Sequence, residues 1–232
     1  MYKFFFFLFS VVVSFSIHAD DVNKLEEAIR NIDTITALPI DGMSAVKDVS
    51  GDIFYVSKNG RYAFKGTMID VWSKTILDSQ EKLAHSINTI DLSNMGINVD
   101  EYKPVIIGHG EKVVTVFTDP TCEPCLLLLP EMIALQEEFT FKLLHVPVLG
   151  DESKKISASL YCADTQQAFS AVTEQNYKLI DRSTTCDLSG YQKRLLAADI
   201  IQVRHVPFLI SPDKRVARGK PKSLSIWLKS SS

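Results

Sequence analysis

Apolar positions along this chain change period several times, and each change marks an element. Phe4 to Ile17 is an unbroken apolar run behind Lys3, closed by His18-Ala19. It is short for a bilayer span and has the order of a secretory signal: a positive start, an apolar middle, and a cleavage point before Asp20. Residues 1–19 are therefore read as a cleaved signal peptide. Val22, Leu25, Ile29 and Ile32 recur at helical spacing and predict a short amphipathic helix over 21–31. Beyond the loop at Pro39 to Gly42, Ile53 to Val56 and Arg61 to Phe64 read as strands. Ser57-Lys58-Asn59-Gly60 joins them, and Asn59-Gly60 favours a tight hairpin because both residues tolerate positive φ. A further strand is expected around Thr67 to Trp72. Asp78 followed by Glu81 marks a helix start. Leu83, Ile87 and Ile90 give that helix one narrow apolar stripe, which suits a connector between domains.

The second half alternates element types. Val113 to Phe117 predicts a buried strand, followed by a helix from Cys122 to about Glu138. Lys142 to Val146 predicts another strand, and residues 152–173 and 190–199 are expected to be helical. Val206 to Ile210 and Arg215 to Arg218 read as paired strands, with a closing helix at Leu224 to Leu228. The order is α+β at the N-terminal end and α/β layered at the C-terminal end. It divides into a small helix-plus-antiparallel-strand unit over 20–77, a linker helix over 78–104 and a larger domain over 105–232. The first unit is too small to bury much by itself, so a partner surface such as a second copy is expected.

The 232 residues carry a formal net charge of −3. A weakly acidic chain without a basic stripe has nothing to neutralise phosphates, which argues against nucleic acid as partner. Only residues near the redox segment add chemistry. All four cysteines, Cys122, Cys125, Cys162 and Cys186, lie in the C-terminal half. An even number in an exported chain favours disulfides, and three pairings are possible.

Cys122-Glu123-Pro124-Cys125 follows a strand and opens a helix. Unsatisfied N–H groups and the helix dipole there favour an anion, and the thiolate is the attacking form of cysteine. Cys122 is thus expected to be the exposed nucleophile. Cys125, one turn deeper and more buried, is expected to resolve the mixed disulfide. Pro124 fits the first helical turn, where its missing N–H costs nothing. Glu123 opposes thiolate formation beside it and predicts a less depressed Cys122 pKa than strong oxidants have. A zinc site would need further ligands at suitable spacing, and none exists in the sequence. A purely structural bridge over two residues would add little stability. No cofactor is expected.

Pro130 is expected to kink the helix. Cys162 and Cys186 enclose about two dozen residues, either as a stabilising bridge or as a second redox pair. Asp119 is expected to cap the turn before Cys122. His85, His109, His145 and His205 are scattered and read as surface or satisfied core residues.

The block from Val113 to Cys125 resembles the bacterial periplasmic disulfide isomerases of the DsbC/DsbG type. So do Tyr55-Val56-Ser57-Lys58-Asn59-Gly60-Arg61, the Gly66, Met68, Asp70, Val71 pattern, and Cys162-Ala163-Asp164 with Cys186-Asp187. The resemblance implies an N-terminal dimerisation domain and a C-terminal thioredoxin-like domain with a helical insertion. It implies a structural Cys162–Cys186 disulfide. It also implies that Val206-Pro207 is the cis-proline site that helps hold peptide substrate. Implied partners are misfolded or mis-oxidised exported proteins, a membrane-embedded thiol reductant, and a second copy of the chain. The expected function is disulfide isomerisation or reduction in the periplasm. The alternatives are a periplasmic holdase chaperone with secondary redox activity, or a reductase dedicated to one client. Glu123-Pro124 and Val206 differ from the residues usual in that group.

Overall fold

A computed structural model describes residues 31–40, 42–180 and 186–230. The expected signal peptide and the 21–31 helix lie outside the described residues, apart from Asn31. The chain divides into two compact units after Gly66, ahead of the 77/78 boundary read from the sequence.

The described part of the first unit is an antiparallel sheet in the order β1-β2-β3-β4. Its strands are β1 (Ile32–Ala37), β2 (Met43–Asp48), β3 (Ile53–Ser57) and β4 (Ala63–Phe64). β1 and β2 were not expected, because their few large apolar residues alternate with Thr, Ser and Ala and make a weak signal. Ala45, Val46, Phe54 and Tyr55 are buried, and Tyr55 stacks on Phe64 at 5.0 Å. The turn falls at Ser57 to Gly60 as expected, yet only Gly60 takes a positive φ, 68°. Asn59 instead accepts hydrogen bonds through Oδ1 from Ser57 Oγ and the Arg61 N–H. Tyr55 pairs with Phe64 and Val56 with Ala63, so the connection is wider than a two-residue hairpin.

The second unit opens with a two-stranded ribbon, β5 (Ile69–Asp70) and β6 (Thr75–Ile76). Helix α1 (Gln80–Asn88) follows, capped by Ser79 accepting from the Lys82 N–H, with Leu83 fully buried. It ends far short of residue 104. The chain is then tied to the C-terminal strands of the same unit: the Ile90 N–H donates to the Lys214 carbonyl at 2.8 Å, and Arg218 donates to the Ile87 carbonyl. Ile90 is buried among apolar side chains that include Tyr102, Phe117 and Phe208.

The main sheet has the order β11-β10-β8-β9-β7. Its strands are β7 (Val105–Ile107), β8 (Lys112–Thr118), β9 (Phe139–His145), β10 (Phe208–Ile210) and β11 (Val216–Arg218). β8 and β9 are parallel, and the other neighbours are antiparallel. Helix α2 (Glu123–Ala134) makes the crossover between the parallel pair. Val114 and Val116 pack into the core that contains Leu128, Leu129 and Met132 of α2, while Phe117 joins the opposite layer. This is the two-sided alternation of a covered sheet. Between β9 and β10 lie α3 (Asp151–Cys162), α4 (Thr165–Thr173) and α5 (Ser189–Ile200), and α6 (Leu224–Lys229) closes the chain. The 152–173 span is two helices because Asp164 caps α4 by accepting from the Gln167 N–H. A central parallel pair, antiparallel flanks and a helical insertion make a thioredoxin-like domain.

Candidate functional site

β8 delivers the chain to Asp119, and the next residues turn into α2. Cys122 is the N-cap residue of that helix: its carbonyl accepts from the Leu126 N–H at 3.0 Å. The Cys125 N–H lies 3.3 Å from Cys122 Sγ. That N–H also donates to the Cys122 carbonyl at 3.0 Å and stands beside the sulfur, so negative charge on Sγ meets a donor already in place. Pro124 occupies the first turn as expected. Cys122 and Cys125 are disulfide-bonded, with Cα atoms 5.2 Å apart.

Opposite the pair stands the Val206-Pro207 peptide, which is cis. The Val206 carbonyl oxygen lies 3.6 Å from Cys122 Sγ. The Pro207 carbonyl accepts from the Gly219 N–H at 2.8 Å, so the bend before β10 is tied to the end of β11. Four expected site residues, Cys122, Cys125, Val206 and Pro207, therefore come together.

One expectation needs correction. Cys122 was expected to be the exposed cysteine and Cys125 the covered one, yet their residue exposures are 3% and 6%. In the disulfide form Cys122 Sγ faces Cys125 and the Val206 carbonyl, so neither sulfur is displayed. Thr121, Glu123 and Pro124 around them are exposed and form the rim that an incoming chain would meet.

α2 continues through Pro130, whose missing N–H leaves the Leu126 carbonyl without its helical donor. Gln175 Nε2 donates to that carbonyl at 3.3 Å. Asp119 does more than cap a turn. Its Oδ1 accepts from the Thr121 N–H and Oγ1, and its Oδ2 accepts from the Val148 and Leu149 N–H groups and Ser153 Oγ. The redox loop is thereby fastened to the start of α3. Sequence reading could place the Asp at its turn but not its donors on Val148, Leu149 and Ser153, which lie some thirty positions away.

His145 is buried at the end of β9, opposite Thr118, and burial pushes its pKa down to about 3. The nearby Arg194 cation adds to that lowering, and the Asp119 carboxylate opposes it. Its Nδ1 has no hydrogen-bond partner among the described residues. Arg194 is buried too. It donates to the Tyr102, Lys103 and His145 carbonyls, with its guanidinium 5.1 Å from the Tyr161 ring centre. Cys162 and Cys186 are joined at a Cα separation of 5.6 Å, at the end of α3 and ahead of α5. Among the described residues, no three His, Cys, Asp or Glu side chains gather as a metal site.

Residues 16–79 match the family described as the disulfide bond isomerase protein N-terminal domain. The chain is 31% identical over 175 residues to the thiol:disulfide interchange protein DsbC of Salmonella typhimurium, covering 71% of this chain and 69% of that protein. The DsbC of Escherichia coli is 28% identical over 178 residues, covering 72% and 71%. Among solved structures, Proteus mirabilis ScsC in a transitional conformation superposes with a TM-score of 0.51 at 18% identity. That match covers 59% of this chain and 76% of the other, and at this identity it speaks for the fold alone.

Proposed function

The chain belongs to the DsbC family of thiol:disulfide interchange proteins, and on that premise we propose that Cys122 and Cys125 carry its thiol–disulfide exchange. In the reduced protein the Cys122 thiolate attacks one sulfur of a substrate disulfide. The substrate S–S bond breaks, a Cys122–substrate mixed disulfide forms, and the other substrate sulfur leaves as a thiolate. If that thiolate or another substrate thiol attacks the mixed disulfide, Cys122 is regenerated and the substrate is isomerised. If Cys125 attacks Cys122 instead, the substrate leaves reduced and the protein keeps both oxidised sulfurs. The Cys125 N–H held 3.3 Å from Cys122 Sγ is the observation that carries this assignment. It stabilises Cys122 both as the attacking thiolate and as the departing one.

The Val206 carbonyl and Pro207 supply a backbone edge beside the reacting sulfur, suited to an extended substrate segment. Cys162–Cys186 is read as structural. The protein works on misfolded or mis-oxidised exported proteins in the periplasm, after removal of residues 1–19. Residues 20–77 form the dimerisation domain and 78–104 the link to the catalytic domain at 105–232. A membrane-embedded thiol reductant returns the pair to the dithiol.

Refolding of a scrambled multi-disulfide protein tests the assignment. Cys122→Ser is expected to reduce the isomerisation rate to background, and Cys125→Ser to leave isomerisation while abolishing net reduction. Wild-type rates from Cys122→Ser would overturn the reading.

A further inference from the structure

Behind the redox helix lies a cavity of about 20 Å³ lined in part by Thr118, Asp119, Cys125, His145 and Tyr177. A space of that size holds about one water, provided polar groups are there to bind it. The polar groups differ in what they have left to offer. Both Asp119 oxygens are committed to the five donors described above. His145 Nδ1 has no hydrogen-bond partner among the described residues although its residue is 2% exposed. A buried ring nitrogen without a partner is costly, and it sits on the residue that shares this cavity with Cys125.

We propose that His145 is a positioning residue for the exchange reaction: its Nδ1 orients one cavity water as a hydrogen-bond donor to the Cys125 thiolate. The proposal rests on Cys125 being the resolving sulfur. In the Nε2–H tautomer the Nδ1 lone pair accepts one water hydrogen, leaving the other for sulfur. A hydrogen bond to the charged form favours that form, so Cys125 loses its proton more readily than a buried thiol otherwise would. The thiolate then attacks Cys122 Sγ in the mixed disulfide. The Cys122–substrate bond breaks, the intramolecular disulfide forms, and the substrate thiolate takes up a proton to replace the one Cys125 released. Two electrons pass from the dithiol to the substrate disulfide.

The ring must stay neutral for its lone pair to act, and its surroundings keep it so. Arg194 from α5 donates to the His145 carbonyl, and Tyr177 shares the cavity with its phenol held protonated, its pKa pushed up to about 12 by burial. Tyr191 from α5 also has its pKa raised by burial, leaving Asp119 as the group that favours imidazolium.

The reaction of the fully reduced, full-length protein with 5,5′-dithiobis(2-nitrobenzoate) separates the steps. Attack by Cys122 releases the first thionitrobenzoate, and closure by Cys125 releases the second. His145→Leu is expected to slow the second release about tenfold at neutral pH and to raise its pH midpoint by about one unit, because the thiolate fraction falls in that proportion. The first release should be unchanged, and His145→Gln, whose amide oxygen can accept from the water, should restore the second. Equal slowing of both releases, equal loss in Leu and Gln, or no change in the second would overturn the proposal. If the second release survives in Cys125→Ser, the cysteine assignment fails instead. Should His145→Leu not fold, the imidazole ¹⁵N shifts of the wild-type protein decide: neutral and protonated at Nε2 is expected, and a proton on Nδ1 overturns it.

Discussion

Asp119 binds five donors with two oxygens, and three of those donors belong to Val148, Leu149 and Ser153 beyond the next strand. Removing the carboxylate would leave the buried Ser153 hydroxyl without this acceptor and release the part-buried Leu149 and Thr121 N–H groups. Asp119→Ala is therefore expected to cost about 3 kcal/mol, seen as a lower urea midpoint. His145 makes a different contribution, one that depends on pH. Its folded-state pKa of about 3 lies below the ordinary 6.5, so the unfolded chain binds the proton first. The associated stability is complete above about pH 6.5 and declines as pH falls towards 3, by up to about 1.4 kcal/mol per pH unit. Unfolding titrations at several pH values should show a shallower acid decline in His145→Gln than in the wild type. Parallel curves would show that this ring does not govern it.

The elements around the site hold one another through a few long-range ties. α2 is kept by Gln175 where Pro130 removes a donor, and α3 is joined to the approach of α5 by Cys162–Cys186. That bridge closes a sequence separation of 24 residues and constrains the unfolded chain, with an expected contribution of about 3–4 kcal/mol. Cys162→Ala/Cys186→Ala should lower the urea midpoint accordingly while exchange by the folded protein persists. Loss of exchange in a folded double variant would make this pair part of the redox chemistry. Gly110 shows the same dependence on neighbours at the connection from β7 to β8. A Cβ there would stand 2.0 Å from the Glu138 backbone, so no larger residue fits without moving the start of β9.

At the scale of the whole molecule, the first unit contributes a four-stranded sheet in its described part, with Ile35 and Val49 exposed at 63% and 72%. A unit this small, with such apolar side chains exposed, is expected to pair with a second copy, as proposed for residues 20–77. Sedimentation equilibrium of the exported chain should give twice the monomer mass, with thermal stability that rises with concentration. A monomer mass at concentrations where the protein is active would remove the dimer from the proposal.

Strand, cysteine pair and helix were legible in the chain because adjacent residues set them: an apolar β-branched run, two cysteines one turn apart, and a proline where a helix begins. The same holds for Val206-Pro207 as a candidate site, once its likeness to known isomerases was recognised. The end of α1 at Asn88 and the split at Asp164 were less legible, since burial of Ile90 and a local cap override periodicity. Tertiary structure alone decided which donors fill Asp119, why Cys122 is covered in the disulfide form, and that His145 shares a cavity with Cys125. Each of these brings together residues from separate elements, and the energy of a buried polar group depends on what surrounds it in space. No pattern along the chain carries that information.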